Sequence, residues 1–147
     1  LRNEINQGEM FVHLTDDDKE FITFSLMKSK RKVKVRQSPT LESGIAVELE
    51  VQIRGAIREY VGNQYDLSRD EDLERLERDI GKFVKQEAEA LIRMMQEHQA
   101  DSIGIGQYVR NRMSYHAWKK LNWEEIYPNV KVTVTPSVKV RDVGKLN

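Results

Sequence analysis

The fold is decided by the stretch Ala117-Trp-Lys-Lys-Leu-Asn-Trp-Glu-Glu-Ile-Tyr-Pro-Asn129, which leads directly into Val130-Lys-Val-Thr-Val-Thr-Pro-Ser-Val-Lys-Val-Arg141. The second part alternates valine with polar residues, the period-two pattern of a half-buried strand. Pro136 cannot donate to a neighbouring strand, so this strand is expected at a sheet edge or bulged there. Because its valine face needs a core, the strand must return to the sheet formed by the earlier part of the chain.

Three earlier segments are predicted as strands of that sheet. The short apolar run from Met10 to Leu14 ends at an Asp16-Asp17-Asp18 turn and predicts a first hairpin. In the next strand the apolar positions change from even (Ile22, Phe24, Leu26) to odd (Val33, Val35), so a bulge or break is expected between Met27 and Lys32. Ser38-Pro39-Thr40 is expected to end that strand. In the clearest strand, five apolar residues face one way: Ile45, Val47, Leu49, Val51 and Ile53.

A long helix is predicted after the third strand. Ser68 and Glu71 have the spacing of a capping box, and apolar residues recur at helical intervals from Leu73 to Met94 and Met95. The helix should run from Ser68 to about Gln99, roughly 45 Å at 1.5 Å per residue. With shorter helices before the last strand, the order predicts an α+β fold, in which helices pack on one face of a largely antiparallel sheet.

The basic run from Lys28 to Arg36 is read first as a solvated strand face. Antiparallel pairing would place Lys32, Lys34 and Arg36 opposite Glu48 and Glu50, and such cross-strand pairs contribute roughly 0.2–1 kcal/mol each. What the run leaves for function is an electrostatic contact with another protein or with anionic lipid headgroups. The candidate interaction surface consists of Lys30, Lys32, Lys34 and Arg36.

The composition gives no sign of catalysis, a cofactor or a metal site. The 147 residues include 24 basic and 24 acidic side chains, so the net charge of zero does not favour nucleic acid as a partner. There is no cysteine, and His13, His98 and His116 are far apart and match no metal-binding spacing. Gly104-Ile-Gly106 lacks the third glycine and the preceding strand of a nucleotide-binding loop, so these glycines are assigned to a turn between helices.

Trp118 and Trp123 are predicted to anchor the junction between the last helix and the last strand. A tryptophan buries roughly 150–250 Å² and suits such a position. The alternative is an aromatic pocket near the two tryptophans that binds a small molecule. The sequence alone leaves both open.

Four motifs, in order, resemble a known family. They are Ser29–Val35, the strand Ile45–Glu59 before a long helix, Ala100–Gly106, and Trp118 with Asn122–Pro128 followed by Val140–Gly144. Together they resemble the C-terminal domain of the spore germinant-receptor C subunits, the Ger(x)C family. The likeness covers nearly the whole chain.

The resemblance implies a role in spore germination. Members of that family are three-domain lipoproteins, not known as enzymes, that are held by a lipidated cysteine at the outer face of the spore inner membrane. They act with membrane-embedded A and B subunits in a complex that responds to nutrients. Residues 1–147 would be a single domain, the third of such a protein, with the lipid anchor upstream.

The leading hypothesis is therefore a non-catalytic domain that mediates protein–protein interaction in a germinant receptor. A small-molecule domain that binds the germinant near Trp118 and Trp123 is one alternative. A binder of the membrane surface through Lys28–Arg36 is another.

Overall fold

The sheet has four strands that follow one another across it in chain order. The structure, a computed structural model, describes residues 8–17, 19–36 and 44–143. Within these residues the strands of the mixed sheet are β1 (Glu9–His13), β2 (Phe21–Val35), β3 (Ala46–Val61) and β4 (Lys131–Asp142). β4 is an edge strand, as Pro136 predicts.

The helices lie between β3 and β4 in sequence. They are the long α1 (Asp70–Glu97) and the short α2 (Ile105–Asn111), α3 (Tyr115–Lys120) and α4 (Trp123–Ile126), followed by the 3-10 turn Tyr127–Asn129. The predicted α+β class is confirmed.

The first hairpin is present. β1 and β2 are antiparallel, with Glu9 opposite Ser25 and His13 opposite Phe21. The predictions for Asp18 and for Ser38-Pro39-Thr40 lie outside the described residues.

β2 continues without a break between Met27 and Lys32, where a bulge or break was expected. Ile22 and Phe24 are buried near its beginning and Val33 near its end, so the burial does change from even to odd positions. The residues between are half-buried or exposed, and the strand can therefore cross the change of face without interrupting a buried row.

The chain forms two compact units. Of the described residues, the first unit contains those up to Lys30, then Val51–Gln86 and those from Pro136 onward; the second contains Arg31–Glu50 and Glu87–Thr135.

In the first unit the core combines sheet and helix side chains. Buried residues include Val12, Ile22, Phe24, Ile53, Ile57, Leu76, Ile80, Val84 and Val138. A β-carbon at Gly55 would lie 2.4 Å from the ring of Phe24, so only glycine leaves room for that phenylalanine. β3 runs on through Gly55 as a continuous strand.

In the second unit the core is aliphatic apart from one tyrosine and one glutamine. Its buried residues include Val33, Ile45, Val47, Leu49, Ile92, Ile103, Ile105, Val109, Tyr127, Val130 and Val134. The amide of Lys131 donates to the carbonyl of Ile45 at 3.1 Å, and this bond brings the beginning of β4 beside the residue that precedes β3.

The predicted capping box at the start of α1 is wrong. The helix begins at Asp70, and the Ser68 hydroxyl donates to the carboxylate of Asp66 at 2.6 Å. The amide of Asp66 in turn donates to the carboxylate of Asp72 at 2.7 Å. The Ser68 hydroxyl is hydrogen-bonded to the carboxylate two residues earlier and does not cap the helix. The capping-box pattern does not take such a local competing hydrogen bond into account.

The buried stripe of α1 recurs at every fourth residue. It consists of Leu76, Ile80, Val84, Ala88, Ile92 and Gln96. Met94, which the periodicity assigned to the apolar face, is 50% exposed because it falls between the last two buried positions.

Glutamates of α1 satisfy amide groups at the edge strand β4. In the first unit the carboxylate of Glu77 accepts from the amide of Val140 at 2.8 Å. In the second unit the carboxylate of Glu89 accepts from the amide of Val134 at 3.0 Å. Such contacts cover an edge that would otherwise be open to pairing with another strand.

Candidate functional site

The basic residues at the end of β2 form the predicted cross-strand ion pairs. In the second unit Nζ of Lys34 lies 2.9 Å from Oε1 of Glu50, and Nε of Arg36 donates to Oε2 of Glu48 at 2.7 Å. The hydrogen bond from the Lys34 ammonium lowers the pKa of the Glu50 carboxyl below its ordinary value. Two of the four cations proposed as an interaction surface are therefore neutralised by their neighbours, whereas the side chain of Lys32 is exposed.

Lys30 belongs to the first unit, whereas Lys32, Lys34 and Arg36 belong to the second. Together with Lys28, Gln52 and Arg54 it lines a cleft of about 50 Å³ on the exposed side of β2 and β3. Among the residues that the structure describes, no carboxylate lies within ion-pair distance of Lys28, Lys30 or Arg54. The structure thus divides the basic run into a neutralised part and an uncompensated part.

The two tryptophans lie together in the second unit. Trp118 is in α3 and Trp123 in α4, with ring centroids 6.0 Å apart, and the ring of Tyr127 follows at 5.5 Å from that of Trp123. Both tryptophans are half-buried, whereas Tyr127 is buried. The three rings form a continuous aromatic row.

Short local signals produce this row. The Ser114 hydroxyl accepts from the amide of Ala117 at 3.1 Å and caps α3. The chain is extended at Leu121 and Asn122, so the tryptophans stand on separate short helices, where a single helical end was expected.

Tyr127 is held at both ends. Its hydroxyl donates to the carbonyl of Ala100 at 2.8 Å, and its own carbonyl accepts from Nε2 of Gln96 at 3.0 Å. Burial, followed by the negative charge of Asp101, raises the pKa of Tyr127 to about 12, so the phenol is neutral at physiological pH.

Gln96 was missed by the sequence reading. It is 6% exposed, and its Nε2 also donates to the carbonyl of Val130 at 2.7 Å. Its hydrogen bonds tie the end of α1 to the turn before β4. The available signal was a polar residue four positions after Ile92, in phase with the buried stripe.

Asp101 is the second residue that was missed. Its two carboxylate oxygens accept from the amides of Ile105 and Gly106, each at 2.7 Å. These amides are the groups that a phosphate would need at this loop, so the carboxylate occupies the place of an anion. Gly104 has φ of 80°, which suits glycine, and it serves the turn between helices as predicted, whereas Gly106 lies in the first turn of α2.

Gly106 lies directly beneath Trp123. A β-carbon at position 106 would lie 2.7 Å from Nε1 and 2.9 Å from Cε2 of the indole. The glycine-containing loop and the tryptophan motif, about 17 residues apart in sequence, are therefore one packing unit.

The described residues offer no candidate metal site. No group of three or more His, Cys, Asp or Glu side chains among them could hold a metal ion, and His13, His98 and His116 are all exposed. A buried Tyr65 donates its hydroxyl to Asp79, and burial together with this bond raises its pKa; Arg75 covers the ring at 4.9 Å. This arrangement suits packing, since it leaves no free nucleophile or base.

Among the residues that the structure describes, no helix is both long enough and apolar enough to cross a membrane.

Comparisons with known proteins agree with one another. A family model described as spore germination B3/GerAC-like, C-terminal, matches residues 1–144. The spore germination protein GerQC of Bacillus cereus is 24% identical over 144 residues, which are 98% of this chain and 38% of that protein. The crystal structure of the GerBC protein is similar with a TM-score of 0.70 at 23% identity, over 91% of this chain and 40% of that one, and supports the fold alone. The chain thus spans about two fifths of the length of these two relatives.

Proposed function

The chain belongs to the spore germination B3/GerAC-like C-terminal family, and from this membership we propose that it is a non-catalytic interaction domain of a nutrient germinant receptor. The observation that carries the proposal is the family match over residues 1–144.

The proposal extends to a longer protein. The two relatives are each more than twice the length of this chain, so the chain acts as the C-terminal domain of a larger C subunit. That subunit is anchored upstream by a lipid at the outer face of the spore inner membrane and works with the membrane-embedded A and B subunits.

The domain contributes polar surfaces to the complex. On β2 the exposed cations Lys30 and Lys32 remain available, whereas Lys34 and Arg36 already contact Glu50 and Glu48. Exposed charges of this kind set orientation and association rate more than affinity. Trp118 and Trp123 act as structural anchors that hold the last helices in place.

Co-purification of the receptor from spore membranes tests the interaction role. Full-length C subunit carrying Lys30→Glu and Lys32→Glu should recover less A and B subunit than wild type, with the loss largest in low salt. The double variant Lys131→Glu and Lys139→Glu, at two exposed side chains of β4, changes the charge equally and serves as the control. Recovery that is unaffected by deleting this whole domain would contradict the proposal.

Direct binding of a germinant is the second candidate. It is favoured by one observation: both tryptophans keep part of their rings accessible. Tryptophan fluorescence titrated with amino acids, sugars and nucleosides tests it, and Trp118→Phe and Trp123→Phe assign any change to one ring. A flat response from wild type counts against direct sensing.

A further inference from the structure

The exposed side of β2 and β3 carries uncompensated positive charge in the first unit. Lys28 and Lys30 come from β2 and Arg54 from β3, and all three side chains are exposed. With the amide of Gln52 they surround a cleft of about 50 Å³. Every charged side chain that lines the cleft is therefore a cation.

The sequence makes this arrangement unusual. Along one face of β3 the polar residues are Glu48, Glu50, Gln52 and Arg54. The side-chain charge along this row therefore changes from negative to neutral to positive. Like charges on neighbouring strands oppose folding by an amount comparable to what opposite charges contribute. The chain holds as many carboxylates as cations, 24 of each, yet none of those described lies at this cleft.

We propose that the cleft lined by Lys28, Lys30, Gln52 and Arg54 binds a phosphate group. The donors suit one: a guanidinium offers a planar fork to two oxygens, each ammonium adds a point charge, and the glutamine amide donates a further hydrogen bond. A phosphate monoester carries about −1.5 to −2 charges on three acceptor oxygens, which matches several donors from different directions better than the two oxygens of a carboxylate do.

The size of the cleft limits what enters it. A volume of about 50 Å³ exceeds the ~10–15 Å³ that one water needs, but it is far below the ~300 Å³ of a pocket that encloses a small organic molecule. The phosphate alone occupies the cleft, and whatever carries it stays outside. Free phosphate and a phospholipid headgroup share this chemistry.

Two titrations distinguish these sources. In the first, inorganic phosphate is added to the isotope-labelled full chain at constant ionic strength, and amide chemical shifts are followed by NMR. Saturable shifts at Lys28, Lys30, Gln52 and Arg54, larger than those caused by acetate, support the proposal. In the second, the chain is sedimented with vesicles of phosphatidic acid, whose headgroup is a phosphate monoester, or of phosphatidylcholine; selective binding to the former supports a headgroup as the source.

Variants test whether the cleft is responsible. Lys30→Gln and Arg54→Gln should each weaken binding about two- to fivefold, the range that exposed ion pairs give. Arg54→Lys keeps the charge but loses the fork, so it should fall between wild type and Arg54→Gln. Lys131→Gln removes one exposed cation from β4 and should leave binding unchanged.

The proposal is overturned if neither phosphate nor phosphatidic acid vesicles bind, if acetate matches phosphate, or if Lys131→Gln weakens binding as much as Lys30→Gln does. All of the substituted side chains are exposed, and a dispersed amide spectrum for each variant confirms that the comparison is between folded proteins.

Discussion

Gly106 leaves room for the indole of Trp123, and the packing of this ring requires that residue 106 has no side chain. The nearest indole atom would lie 2.7 Å from a β-carbon at position 106, whereas at Gly81 in α1 the nearest atom, of Pro136, would lie at 3.5 Å. The first distance forces a shift of a bulky ring, and the second is an ordinary contact.

We therefore expect Gly106→Ala to destabilise the protein by about 1–3 kcal/mol, the usual cost of overpacking. Gly81→Ala is the matched control, and it should be neutral or stabilising by up to ~1 kcal/mol because alanine favours a helix interior. Urea unfolding followed by tryptophan fluorescence measures both. Equal effects of the two substitutions would contradict the clash at Trp123.

Tyr127 should make stability depend on alkaline pH. Its pKa is raised to about 12 in the folded protein, above the ordinary value of 10.0. Between these values the unfolded chain loses the phenolic proton while the folded protein keeps it, so the stabilisation present below about pH 10 declines as the pH rises toward 12.

The expected result is a shallower decline in Tyr127→Phe, measured as the free energy of unfolding in urea at several pH values from about 9 to 12. That variant also loses the bond to the Ala100 carbonyl, which should cost about 1 kcal/mol at neutral pH. Tyr115→Phe, at a side chain that is 60% exposed, is the control and should retain the wild-type slope.

At the scale of elements, α1 both packs on the sheet and protects its edge. The carboxylate of Glu77 accepts from the amide of Val140, and this bond satisfies a group that an edge strand otherwise offers to another chain. The donor in this hydrogen bond is a backbone amide. The bond therefore depends on the register of β4 and not on the identity of the side chains in β4.

Glu77→Ala should speed hydrogen exchange at the amide of Val140, because the acceptor is lost and the edge becomes open. Glu77→Gln retains an oxygen acceptor and should give an intermediate rate. Exchange followed by two-dimensional NMR provides the measurement, with Glu74→Ala, an exposed residue one turn earlier, as the control. An unchanged rate at Val140 in Glu77→Ala would show that the bond is not formed in solution.

The periodicity of apolar residues predicted the strands and the long helix well. Two details were predicted wrongly, the helix cap and the position of one methionine. The valine alternation located β4, the apolar row from Ile45 to Ile53 located β3, and α1 was predicted within two residues at each end. The capping box failed because Asp66 took the Ser68 hydroxyl. Met94 was misplaced because the buried stripe recurs at every fourth residue.

At the scale of the molecule, the equal numbers of acidic and basic residues have a direct consequence. A net charge of zero near neutral pH minimises repulsion between copies of the chain. Solubility should therefore be lowest near pH 7 and rise on either side, which light scattering of concentrated samples at low salt measures. A minimum displaced by more than about two pH units would contradict this reading.

The functional surfaces were only partly predictable from the sequence. The basic run and the two tryptophans stand out in it, but Gln96 and Asp101 gain their roles from carbonyls and amides that the fold brings to them. The division of the basic run likewise depends on which β3 residue faces each lysine. The periodicity of the sequence predicts which face of a strand or helix a side chain lies on. Which residue it contacts depends on strand register and tertiary packing.

The contact between Gly106 and Trp123 also constrains how the sequence can change over generations. A mutation that adds a side chain at 106 is tolerated only if the ring at 123 shrinks, and a smaller ring opens a void unless position 106 grows. Substitutions at the two positions should therefore occur together. In the double variant, Trp123→Phe should partly restore the stability that Gly106→Ala loses. In diverging descendants the loop and the tryptophan motif would then be inherited or lost together.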